Sequence, residues 1–280
     1  MNTSTKTTNG DTSNVSSEGI SLRQAGTIML LGLNRAAKRN ALNAFMIDKI
    51  RTSFQNLPED TRAVILYGEG EHFCSGLDLS AVSGDPGNGF ALSRTWCRAF
   101  EQIEQCEVPV IAVLRGAVIG GGLELAAAAH IRISETGTYY ALPEGMRGFF
   151  VGGGGAVRIP RLIGVPRMAD MMLTGRTYTA EEGVPLGFSQ YVVEAGHGLR
   201  KATELAERIL ANPRLSNFAI IQALPLIARS EPDAGLMLEG LMAAATLNGG
   251  EAHTRAQAFL KGKVAKALPE TGVDEGRGAR

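Results

Sequence analysis

The sequence has no surplus of charge of either sign: Lys+Arg and Asp+Glu each number 28 in 280 residues. A balanced chain offers no bulk attraction to nucleic acid or to an anionic membrane. Cysteine is scarce, and Cys74, Cys97 and Cys106 show neither CxxC nor Cys/His metal-ligand spacing. An odd count without a secretory signal points to a reducing compartment, so the expected location is cytoplasmic. No apolar run reaches the roughly 18–20 residues of a membrane-spanning helix. Nucleotide and serine-hydrolase signatures are also missing. There is no G-x-x-x-x-G-K-[ST] and no G-x-S-x-G, and the glycines do not give G-x-G-x-x-G between a first strand and helix, so a Rossmann reading fails.

What the chain does have is glycine: 35 residues, against a usual level of about 7%. The glycines cluster at 116–122 and 152–155, beside two glutamates in segments that should not want a charge. Glu124 sits in the run Gly-Ala-Val-Ile-Gly-Gly-Gly-Leu-Glu-Leu-Ala, and Glu144 follows Tyr-Ala-Leu-Pro. A carboxylate among apolar neighbours is costly unless paired, and its pKa shifts accordingly. Two of them next to glycine-rich backbone suggest an acid/base pair beside exposed amide donors. Tight turns account for the glycines equally well, and a helix-start acid after Pro143 accounts for Glu144.

Short apolar strands at Thr27–Leu33, Ala63–Tyr67 and Val108–Leu114 alternate with helical periodicity over Asn43–Leu57 and Leu92–Glu104. Gly121–His130 reads as a short helix opening on three glycines. Its first N–H groups lack internal partners, so an amide there can help bind a developing oxyanion. A second donor could come from the turn Phe73–Leu79. His130 ends that helix, where a charged imidazole would suit the dipole. From Leu199 onward the pattern is only helical. The chain therefore reads as an α/β core with a helical appendage.

Five stretches, in order and spacing, resemble the crotonase (enoyl-CoA hydratase/isomerase) superfamily. They are Leu33-Asn34-Arg35 with Asn40–Asn43; Ala63–Leu66 with Phe73–Leu79; Pro109–Leu114 with Gly116–Leu125; Pro143-Glu144 with Gly148 and Gly152–Gly155; and Arg161–Gly164 with Leu173–Gly175. The resemblance spans about residues 20–265. It implies a crotonase-like spiral of ββα turns with a C-terminal helical oligomerisation region, and a homotrimer or dimer of trimers. The expected organisation is a disordered tail (1–18), the spiral core (19–197), a C-terminal helical region serving trimerisation and the acyl pocket (198–268), and a flexible tail (269–280).

The resemblance also implies an acyl-CoA thioester as substrate. Coenzyme A is then part of the substrate, and no separate cofactor or metal is expected. By motif position, the amides of Leu77 and Gly121 form the oxyanion hole. Ala37, Lys38 and Arg39 contact the CoA nucleotide, Ser75 and Leu79 line the pantetheine path, and Gly152 helps hold a water. Both family glutamates are present, which implies a hydratase: Glu124 activates water and Glu144 acts at Cα. Another crotonase-type reaction (isomerisation, thioester hydrolysis, hydration with cleavage) and a non-catalytic acyl-CoA-binding role are the alternatives. Val151, Gly145 and Arg147 depart from the family pattern beside the second glutamate, which bears on acyl specificity.

Overall fold

The computed structural model describes residues 14–17, 19–81 and 88–261. The expected tails fall outside the described residues, except that Asn14–Ser17 form strand β1, paired antiparallel with β2 (Gly19–Ala25). That strand corrects the expectation of a tail running to residue 18. The remaining strands are β3 (Ile28–Asn34), β4 (Ala63–Gly68), β5 (Val110–Leu114), β6 (Ala117–Ile119), β7 (Ile131–Glu135), β8 (Tyr139–Ala141), β9 (Tyr178–Thr179) and β10 (Tyr191–Val193). A seven-stranded sheet runs in the order β1-β2-β3-β4-β5-β7-β10, and a small sheet runs β6-β8-β9. From β3 to β10 the large sheet is parallel.

The parallel strands are continuous apolar runs because both faces are covered. Along β4, Val64 and Leu66 face the larger core, while Ala63 and Ile65 face a second one. β5 splits the same way: Val110, Ala112 and Leu114 on one side, Ile111 and Val113 on the other. Helix α1 (Ala44–Gln55) and α2 (Asn88–Glu104) send Met46, Ile50, Phe100 and Ile103 into the larger core. The other helices of this part are α3 (Gly121–Ala127), α4 (Gly155–Ile163), α5 (Val165–Thr174), α6 (Ala180–Leu186), α7 (Gly198–Leu210) and α8 (Arg214–Phe218).

Helix α7 covers the second face with Ala202, Leu205 and Ala206. It packs on β4, β5 and β7, so it belongs to the core and not to a C-terminal appendage beginning at 198. The chain divides at Gln222/Ala223. Leu205→Ala would open a hole under the sheet at a cost of about 2–4 kcal/mol. The second unit contains α9 (Leu224–Ile227), α10 (Pro232–Asn248) and α11 (Glu251–Leu260). Helix α10 leaves Leu236, Met237, Leu241 and Leu247 exposed within that unit.

The ββα turns explain how the glycines and glutamates meet. Strand β5 lies in the large sheet, β6 in the small one, and α3 follows. Strand β7 lies in the large sheet and β8 in the small one, and the Glu144 turn follows with α4 after it. β6 and β8 pair in parallel, so the segments leaving their C-terminal ends emerge side by side. Gly120 N–H donates to Ala141 O at 2.9 Å across that junction. A bridge between Cys74 and Val118 adds the 73–77 turn to the same edge.

Candidate active site

One cleft of about 320 Å³ opens at this edge. Leu77, Gly121, Glu124, Glu144 and Gly152 line it, together with Ser75 and Leu79. Leu92, Trp96, Phe149, Phe150 and Val151 supply apolar wall, and Arg147 stands on the lining.

The two amide candidates come from different turns of the chain. Leu42 N–H donates to Gly76 O (2.7 Å) and Asp78 N–H donates to Leu42 O (2.8 Å), which takes up the peptide groups on one side of Leu77. Gly121 is the first residue of α3, where a helix has no partner for the N–H. Among the described residues neither the Leu77 nor the Gly121 amide donates to another protein group. The two segments touch. Gly76 has φ of +89°, and a Cβ there would lie 2.7 Å from Ile119 O and 3.2 Å from Gly121 N. Only glycine fits that approach. Gly121 in turn presses against the Trp96 ring, so a side chain there would collide with the indole.

Glu124 is buried on α3, yet its carboxylate is well supplied with donors. Oε1 accepts from Gly153 N–H at 2.7 Å and Gly155 N–H at 2.8 Å. Oε2 accepts from Gly152 N–H at 3.4 Å, a long bond. These amides belong to the start of α4, whose dipole is positive there. A Cβ on Gly155 would sit 2.6 Å from Glu124 Cγ and 2.7 Å from Oε1, so the second glycine run makes room for this carboxylate. Burial raises the pKa of Glu124, and the three amides and Arg158 offset only part of the rise. Arg158 Nε donates to Glu104 Oε2 at 2.8 Å.

Glu144 is provided for differently. It is half-buried at the start of the short turn Gly145–Arg147, and among the described residues its buried Oε2 has no protein partner. Its other oxygen, Oε1, lies against Gly120. Burial pushes its carboxyl up to about 7; its own backbone amide opposes the rise, the Glu124 charge adds to it and Arg147 opposes it. Arg147 is exposed, and among the described residues it forms no ion pair.

Ala37, Lys38 and Arg39 do not line the cleft. They form an exposed turn tethered to its rim, where Arg39 O accepts from Ser75 N–H (2.9 Å) and Lys38 O from Ser75 Oγ–H (3.4 Å). Sequence reasoning missed what fixes this turn. Asn40 is buried with φ of +55°; its Oδ1 accepts from Arg35 N–H (2.8 Å), and its Nδ2 donates to Glu69 O (3.0 Å) and His72 O (2.8 Å). It ties residues 35–40 to the loop after β4. Trp96, Phe149 and Phe150 were also missed as wall residues; a lone tryptophan on the apolar stripe of α2 was the available signal.

Other titratable groups near the glycines are structural. Asp78 pairs with Arg35 at 2.5 Å and binds Ser80; its carboxyl is held down at about 2, first by Ser80 and then by Arg35. His72 Nδ1 accepts from Ala117 N–H. His130 corrects the expectation of a charged imidazole. Its Nδ1 accepts from Val110 N–H at 3.0 Å, and burial pushes its pKa down to about 4, so it is neutral near pH 7. Cys74 and Cys106 are buried free thiols pushed up to about 12 and about 11 by burial. Among the described residues no cluster of three His, Cys, Asp or Glu side chains could hold a metal.

A family model described as Enoyl-CoA hydratase/isomerase matches residues 23–263. An enoyl-CoA hydratase of Mycobacterium tuberculosis is 32% identical over 209 residues, covering 72% of this chain and 79% of the relative. A crystal structure of a Rhodopseudomonas palustris protein is 54% identical with a TM-score of 0.84, covering 89% of this chain and 97% of that one. A Thermobifida fusca protein in complex with acetoacetyl-CoA is 27% identical with a TM-score of 0.76, covering 82% of this chain and 95% of that one.

Proposed function

The chain belongs to the enoyl-CoA hydratase/isomerase family, and from that premise we propose that it adds water across the α,β double bond of a 2-enoyl-CoA to give a 3-hydroxyacyl-CoA. The observation that carries the reading is the convergence of two buried or half-buried glutamates and two unengaged amides on one cleft. The thioester carbonyl sits between the Leu77 and Gly121 amides, which makes Cβ electrophilic and stabilises enolate charge on oxygen. Glu124 accepts a proton from water as its oxygen bonds to Cβ, and Glu144 gives a proton to Cα. Hydroxyl and hydrogen are thereby added together. Glu124 is left protonated and Glu144 ionised, and exchange with solvent resets the pair.

The two environments suit these roles. Amide donors on one oxygen favour the ionised form of Glu124. A carboxyl shifted to about 7 with a partnerless oxygen holds a proton that can be given away near neutral pH. Gly152 N–H reaches the other Glu124 oxygen, Oε2, by a long bond of 3.4 Å, so a water seated beside that pair would bond to both.

The acetoacetyl-CoA complex of the Thermobifida fusca relative supports a CoA thioester as ligand. Lys38 and Arg39, exposed at the rim with Ala37, would meet the nucleotide phosphates. Ser75 and Leu79 would flank the pantetheine. Coenzyme A enters with the substrate, so no other cofactor is needed. Exposed apolar residues of α10 suit a trimer or a dimer of trimers. The free thiols suit the cytoplasm.

The test is mass spectrometry of CoA esters incubated with the purified protein. A short 2-enoyl-CoA should gain the mass of one water. Loss of the thioester, or turnover of a 3-enoyl-CoA without mass change and much faster than the 2-enoyl ester, would replace the hydratase reading with another family reaction.

A further inference from the structure

Two side chains of α2, one turn apart, converge on a single backbone oxygen. Ser93 Oγ–H donates to Gly152 O at 2.7 Å, and Cys97 S–H donates to the same oxygen at 3.3 Å. That carbonyl belongs to the peptide whose N–H is Gly153, and Gly153 N–H donates to Glu124 Oε1 at 2.7 Å. In a trans peptide C=O and N–H point in opposite directions. A donor on the oxygen fixes the plane and polarises the N–H at the far end, since bonded chains reinforce one another.

We propose that Ser93 and Cys97 are positioning residues for Glu124, acting through the Gly152–Gly153 peptide to aim and strengthen the amide that holds its charge. The proposal rests on the reading of Glu124 as the base, but its physical content is the proton affinity of Glu124. The linkage is specific. Cys97 is not among the cleft-lining residues, so its effect cannot come from touching substrate, whereas Ser93 does line the cleft. The two donors also differ in strength, a hydroxyl being a good donor and a thiol a weak one.

The charged groups facing Glu124 are Arg158 of α4, paired with Glu104 of α2, and Glu144 with Arg147 in the adjoining turn. None of these is changed by substitutions at 93 or 97. Removing a donor from Gly152 O weakens the Gly153 N–H, which favours the protonated carboxyl and raises the titration midpoint of Glu124. Strengthening the donor lowers it.

The experiment compares wild type, Cys97→Ala, Cys97→Ser, Ser93→Ala and the double alanine variant. Two readouts are taken on folded protein: carboxyl NMR titration of Glu124, assigned with Glu124→Gln, and the pH profile of kcat/KM for a short 2-enoyl-CoA. Cys97→Ala should raise the Glu124 midpoint and the acid limb together by about a few tenths of a pK unit, and the double variant by about half a unit or more. Cys97→Ser should move both the other way. An unchanged midpoint in a folded double variant, or the same direction of shift for alanine and serine at 97, overturns the proposal. Absence of hydration by wild type would sink the hydratase reading alone, because the NMR titration still reads the linkage. If the double variant does not fold, the Cys97 pair decides by its opposite signs.

Discussion

Glu124 and Glu144 face one cleft from two regions that treat a carboxylate in opposite ways. Around Glu124 the chain supplies backbone: two short amide bonds to Oε1, a third and longer one to Oε2, and the start of α4 behind them. Around Glu144 the described residues supply less: a short turn, the residue's own backbone amide, an oxygen with no protein partner and a nearby cation that makes no ion pair. Burial raises both pKa values. What differs is compensation. Donors fixed in the backbone stabilise charge without cost at the moment of reaction, and a carboxyl with fewer donors keeps its proton more readily. One residue type thus yields a group suited to taking a proton and another suited to giving one.

The largest effect should come from removing either carboxyl. Glu124→Gln and Glu144→Gln should each lower kcat roughly 10²–10⁴-fold, with thermal stability near that of wild type. Full activity in both variants would remove the division of roles altogether. Gly155→Ala strikes one region only. The new Cβ displaces the Glu124 carboxylate and should lower kcat about 10²-fold, the scale expected for misplacement by about 1 Å. Because the Glu144 turn is untouched and the Glu124 charge is only a secondary cause of its shift, the alkaline limb of the pH profile should move by no more than about a few tenths of a unit. A larger move would mean that the two regions are not separable.

Arg147→Gln perturbs the other region and is the smallest of these effects. The cation opposes the upward shift of Glu144, so its loss should raise the Glu144 midpoint further. In the hydration direction Glu144 must be protonated, and activity is lost as pH rises through its pKa. The alkaline limb, near 7 in wild type, should therefore move to higher pH, by about a few tenths of a unit for so exposed a charge. The acid limb, set by Glu124, should not follow it. A shift to lower pH would contradict the assignment of sign.

The same contrast marks what the sequence made legible. Burial of a strand on both faces leaves a continuous apolar run, so Ala63–Leu66 and Val110–Leu114 could be read directly. β6 was not legible, because three residues inside a glycine-rich stretch carry no period. β2 was also missed: it pairs with β3, and only Ile20 and Leu22 reach the core. The misplaced charges of Glu124 and Glu144 were legible from their apolar neighbours, but the difference between them was not. It depends on Gly153 and Gly155 reaching back about thirty positions to one oxygen. Asn40 was hidden for the same reason, since its acceptors at Glu69 and His72 are remote in sequence. Ser93 and Cys97 carried no such signal in the sequence, because only the fold brings Gly152 against them. Helix α7 was assigned to the wrong part because its stripe shows that it is buried and not against what.

The two carboxyls divide charge and proton between them. Carboxyl NMR titration of glutamate-labelled protein, with Glu124→Gln and Glu144→Gln to assign the signals, tests it most directly. The account predicts a midpoint near 7 that disappears in Glu144→Gln, with Glu124 ionising at lower pH in wild type. A signal near 7 that instead disappears in Glu124→Gln, with Glu144 titrating in the ordinary carboxylate range, would contradict it.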